Sequence, residues 1–188
     1  MSIDFFKRRR DSLNIESTVI ALSEKAASIR FKQASERLLN VTKWHTLPCS
    51  LLSELRLTDE AGNNIERHVR ENDYFVFNSL DGGVEEWVKV ETLQFVNNQI
   101  DSSESVVMCA RPSQKPIDEL DVCASPVSPA NTFRVFRKGL NVTVAVHGDN
   151  EHQEASGSGS IKSALGAIPG VARVQWRSLV NGILSTWK

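Results

Sequence analysis

Cysteine is scarce in this chain, and its scarcity removes the first things a short sequence is searched for. The three residues, Cys49, Cys109 and Cys123, are odd in number and far apart. No two fall within CxxC spacing, so neither a disulfide framework nor a zinc pattern is written here. The simplest reading is three thiols packed as small apolar groups in a reducing, cytoplasmic compartment. Long apolar runs are missing too: none approaches the roughly 20 residues a membrane-spanning helix needs. Excess charge of either sign is absent, since 22 Lys and Arg stand against 23 Asp and Glu. That balance lacks the basic footprint of a nucleic-acid binder. No serine sits in a G-x-S-x-G elbow, and no Gly-Lys-Ser/Thr triplet marks a phosphate loop. The sequence therefore names no catalytic residue, no metal ligand set and no cofactor.

What is present is ordinary for a globular protein: 188 residues, 40% hydrophobic and 24% charged. A chain of this length buries about 70% of the surface its unfolded form exposes, enough for one sizeable core. Residues 1–13 read as a flexible tail, and 14–188 as a single domain. The opening MSIDFFKRRR does not read as a signal peptide, because its basic residues follow its apolar ones.

The clearest structural signal lies at Thr132 to Gly148. Leu140, Val142, Val144 and Val146 alternate with Asn141, Thr143, Ala145 and His147, the period of a half-buried strand. Phe133 and Val135 alternate upstream, and Lys138-Gly139 marks a tight turn, so the segment predicts an antiparallel hairpin. Earlier, Ile15 to Leu22 fits a strand. Ser23 then reads as an N-cap, followed by an apolar helix face at Ala27, Phe31, Ala34, Leu38 and Val41. That helix ends near Trp44-His45, ahead of Pro48. Strands are expected at Leu55 to Thr58, Ile65 to Val69, Tyr74 to Phe77, Trp87 to Val96 and Ser105 to Arg111, the last stopped by Pro112. Within Trp87 to Val96 the apolar parity switches, which predicts a bulge. Ser160 to Lys188 reads as a long helix with one face of Ala172, Trp176, Leu179, Ile183 and Trp187, widened by Val180 and Leu184, and a break at Pro169-Gly170.

Polar clusters carry little. His147, Asp149, Glu151 and His152 lack the spacing of a rigid metal site. His45 is a candidate acid or base that more often only ends a helix. Gly157-Ser158-Gly159-Ser160 resembles an anion nest but fits a linker with a serine cap better. The aromatic residues are more informative, either as a solid core or as the lining of a cavity. The ligand-facing group is expected at Phe75, Phe77, Trp87, Phe133, Trp176 and Val180.

The order strand, helix, six strands, terminal helix resembles the helix-grip architecture of the START and polyketide-cyclase-like superfamily. Ala21-Leu22-Ser23-Glu24-Lys25-Ala26 looks like that superfamily's passage from first strand to first helix. Trp44-His45, Asn72-Asp73-Tyr74-Phe75, Glu86-Trp87-Val88-Lys89-Val90 and Gln175-Trp176-Arg177-Ser178-Leu179-Val180 also resemble a family of uncharacterised bacterial proteins. The resemblance implies an α+β fold, with a curved antiparallel β-sheet of about seven strands wrapped around a long C-terminal helix. It implies a non-catalytic protein holding a small, largely apolar molecule or lipid between the two. Two alternatives stand beside it. One is a cyclase- or hydratase-type enzyme using His45 or Tyr74. The other is an interaction module or homodimer using Pro112 to Pro129 and an exposed sheet edge.

Overall fold

The computed structural model describes residues 13–78, 85–116, 130–148, 171 and 173–185. The chain is α+β, built on a seven-stranded antiparallel sheet. Its strands are β1 (Leu13–Ile20), β2 (Leu55–Thr58), β3 (Tyr74–Asn78), β4 (Glu85–Asn98), β5 (Ser103–Ser113), β6 (Asn131–Lys138) and β7 (Asn141–Gly148). They lie in the order β1-β7-β6-β5-β4-β3-β2, so the first strand closes against the last and β2 ends the other side. Helices α1 (Glu24–Leu39) and α2 (Arg173–Leu184) share one core with the inner face of the sheet.

Local chemistry explains most of these boundaries. The Ser23 hydroxyl accepts from the Ala26 N–H at 3.2 Å, and Glu24 sits in the first turn of α1, where its charge suits the helix dipole. Ala27, Phe31, Ala34 and Leu38 then bury one face. At Asn40 the backbone leaves helical geometry and a 3-10 helix, Val41–Thr46, takes over. The change of pitch turns Trp44 fully into the core, where its indole N–H donates to the Arg37 and Leu38 carbonyls. In the β6–β7 hairpin Gly139 has φ +55°, a conformation that costs glycine nothing. Val142, Val144 and Val146 face the core, whereas Leu140 belongs to the turn.

Three expectations need correction. Ile65 to Val69 forms no strand. It returns beside β2 through a single bridge, Thr58 to Asn64, and the Ile65 N–H donates to the Leu57 carbonyl. Pro112 does not stop β5. The strand runs to Ser113, and Pro112 faces Val88 of β4 beyond the point where β6 begins opposite Ala110. With a neighbour on one side only, the missing N–H costs little. The last helix is also shorter than its apolar pattern: α2 has 12 residues, and 151–170 and Trp187 lie outside the described residues. The expected bulge in β4 is present between Val90 and Thr92.

The end of α2 is held from α1. A helix leaves its last carbonyls without partners, and the Arg37 guanidinium supplies donors to Gly182, Ile183 and Ser185. Burial pushes the Arg37 pKa down from its ordinary value. The guanidinium remains charged, and a cation at this end favours the helix dipole.

Candidate ligand site between the sheet and the last helix

Side chains alternate along a strand, so β3 presents Phe75 and Phe77 to one face and Tyr74 and Val76 to the other. Phe75 and Phe77 join the core shared with α2. On α2, Trp176, Leu179, Val180 and Ile183 are buried at helical spacing, and Arg173, Arg177 and Asn181 are exposed. Where β3 meets the start of α2, Phe75, Phe77 and Trp176 enclose a crevice together with Leu52, Leu55, Val171 and Trp44. Ser53, Asn78 and Gln175 are its polar walls.

Three of the six residues grouped by the sequence therefore meet here, and three do not. Phe133 stands at the back, its ring 5.3 Å from that of Trp176 and 5.4 Å from that of Trp44. Val180 is on another side of α2, beside Asn14 and Ile15 of β1. Trp87 lies on the opposite face of the sheet, in a separate cluster with Tyr74 and Val76. The reason is parity: Val88 and Val90 point inward, so the residues flanking them must point out. Of the lining residues outside that group, the largest is Trp44. Its ring packs 5.8 Å from Phe75 as well as against Phe133, and it occupies space that the sequence reading leaves to a ligand. The enclosed volume is only about 10 Å³, near the least that one water requires.

The polar content of this interior is unusual. Trp176 is 1% exposed, and its indole N–H has no acceptor among the described residues. Asn131, two residues before Phe133 on the same face of β6, is 0% exposed, and neither amide atom has a partner among the described residues. An unmade hydrogen bond of this kind costs about 1–3 kcal/mol. Gln175 is satisfied, since its side-chain nitrogen donates to the Leu51 carbonyl, and the Leu51 N–H donates to Ser178. These bonds tie the irregular stretch 50–54 to α2.

The other candidate groups are dispersed. His45 lines a separate polar groove of about 570 Å³ beside β2, with Lys43, Glu54, Glu66 and His68, and its Nδ1 has no partner among the described residues. Tyr74 is on the outer face, its ring 6.3 Å from Trp87 and beneath the Lys89 ammonium. The pair proposed for acid–base work thus shares no cavity. His147 is half-buried on β7 opposite Asn14 and Thr132. Asp149, Glu151, His152 and Gly157 to Ser160 lie outside the described residues, as do Cys123 and 117–129. Among the described residues no three His, Cys, Asp or Glu side chains gather as a metal site. None of their helices is long and apolar enough to cross a membrane. No family model matches this chain, and no curated protein matches it.

Proposed function

We propose that this chain is a non-catalytic binding protein of the helix-grip, START-like kind, which takes a small, largely apolar molecule between β3 and α2. The strand order β1-β7-β6-β5-β4-β3-β2, with the last helix against the inner face, supports the architecture. The observation that carries the function is Trp176, which lines a crevice with Phe75, Phe77, Leu52 and Leu55 and whose buried indole N–H has no acceptor among the described residues. Apolar walls with one orienting polar group are the usual make-up of a small-molecule site. The ligand is then apolar with one hydrogen-bond acceptor, a carbonyl, hydroxyl or carboxylate oxygen. It enters by displacing Leu52 and Ser53, which lie in the irregular part of the wall.

Native mass spectrometry and solvent extraction of the purified chain, followed by titration with dodecanoic acid and dodecanol under tryptophan fluorescence, test this. Saturable binding is expected, weakened about fivefold in Trp176→Phe, the value of one neutral hydrogen bond. Absence of both a co-purified molecule and saturable binding refutes the reading.

A further inference from the structure

The two edges of the sheet are treated differently by the chain. At the β2 edge the return segment covers the strand, with Ile65 donating to Leu57 and Asp59 donating to the Asn63 carbonyl. The 3-10 helix packs against β2 as well. At the β1 edge eight residues pair with β7 in unbroken register and, among the described residues, with no other strand. An edge of this length is usually blunted by lysine, proline or a bulge. Leu13–Ile20, LNIESTVI, has none of these and a single charge, Glu16.

The direction of its hydrogen bonds is fixed by two observations. The Ala21 N–H donates to the Leu140 carbonyl at 2.9 Å, continuing the β1–β7 register, so the odd-numbered residues bond to β7. The Asn14 carbonyl accepts from Arg173 outside the ladder. The N–H and C=O groups of Glu16, Thr18 and Ile20 therefore point outward from the sheet. Ile20, 75% exposed, adds an apolar side chain to this edge.

We propose that the β1 edge is a homodimer interface, in which β1 of a second copy adds antiparallel about a two-fold axis at Ser17. Only even residues can exchange hydrogen bonds, which restricts the register. Centring on Glu16 sets two carboxylates opposite each other. Centring on Thr18 shortens the overlap. Centring on Ser17 pairs Glu16 with Thr18 and Asn14 with Ile20 on one face, and Ile15 with Val19 on the other, so no like charges meet and the apolar inner face continues across the axis. Arg177 and Asn181 of α2 line a groove of about 310 Å³ along the same edge, placing polar side chains above the incoming strand.

Sedimentation velocity of the full chain over a hundredfold concentration range is expected to show a monomer–dimer equilibrium. Thr18→Pro removes an outward N–H and leaves the backbone bonds to β7 in place, losing toward β7 only the contact between the Thr18 and Thr143 hydroxyls, so the dimer weakens at least tenfold while the circular dichroism spectrum is kept. Should that variant misfold, Ser17→Cys in a Cys49→Ser background gives an independent answer. Directly opposed residues of a pair without hydrogen bonds are about 4.5 Å apart between Cα atoms, within disulfide reach. A covalent dimer on mild oxidation is expected, and Asn14→Cys, which faces Ile20, forms none. A chain that stays monomeric throughout, or a dimer that Ser17→Cys cannot trap, overturns the proposal.

Discussion

Gly182 is the position where a single methyl group tests how α2 is seated. In an isolated helix, replacing this glycine with alanine is stabilising by about 1 kcal/mol. Here a Cβ would stand 2.9 Å from the Leu47 Cβ and 3.0 Å from the Pro48 carbonyl oxygen. Carbon atoms in contact prefer about 3.5–4.0 Å. Neither obstacle can rotate away, because one is the first carbon of its side chain and the other is backbone. Either α2 or the turn at Leu47-Pro48 must retreat, and such overpacking costs roughly 1–3 kcal/mol, occasionally more. Because both obstacles are fixed, the upper half of that range applies, about 2–3 kcal/mol against a gain of about 1, and Gly182→Ala is expected to lose about 1–2 kcal/mol. For a chain of this size that lowers Tm by about 2–8 °C. Thermal unfolding followed by circular dichroism measures the shift, and urea titration at 25 °C checks its sign. The displaced carbonyls are those Arg37 holds, so Gly182→Ala combined with Arg37→Met should fall short of additivity. A Gly182→Ala chain as stable as the parent, or more so, refutes this packing of α2 against Leu47-Pro48.

Three further expectations rest on other contacts. Arg37→Met leaves the Gly182, Ile183 and Ser185 carbonyls without their charged donor. Urea unfolding should show a loss of about 2–4 kcal/mol, partly recovered in Arg37→Lys; a loss under 0.5 kcal/mol would deny the cap. Asp73 is buried and accepts from both terminal nitrogens of Arg67 and from the Arg70 N–H, and its hydrogen bond raises the Arg67 pKa. Asp73→Asn should therefore cost about 2–4 kcal/mol by the same assay, since it leaves Arg67 without its carboxylate. The Asp59 carboxyl is held below the usual carboxylate range, chiefly by the Asn63 backbone and side-chain donors. A depressed folded pKa means the 59–63 turn is fully stabilised above the unfolded value and loosens as pH falls through the folded one. Amide chemical shifts of Ala61 and Asn63 should move only in that acid range, and Asp59→Asn should abolish the movement.

How far the sequence could be read follows from which residues have a free face. In β1 and β7 the outer face is mostly polar and, apart from Ala145, less buried than the inner one, so alternation marks Val142, Val144 and Val146, and Ile15, as core directly. Ser23 marks the start of α1 because capping is local chemistry, complete within three residues. β3 defeats the same method. Tyr74, Phe75, Val76 and Phe77 are all buried, so no polar residue reveals which pair faces α2. The clue sits on the neighbouring strand: Val88 and Val90 are inward, and cross-strand pairing of Phe75 with Val88 and Val76 with Trp87 assigns both strands together. Counting aromatic residues without pairing them across the sheet is what placed Trp87 with Phe75. Trp44 was illegible for a different reason. Its position depends on the change from α to 3-10 pitch at Asn40, which rotates the chain by an amount that no hydrophobic period records. A helix continued at 100° per residue puts Trp44 on the same core-facing stripe as Val41 but does not record how far across the sheet its ring reaches. The 3-10 turn instead sends the indole between Phe75 and Phe133. The size of the crevice was therefore fixed by one change of pitch, and the place of its Trp176 wall by the seat of α2 on β1 and β7, which sets that ring edge-on to Phe133.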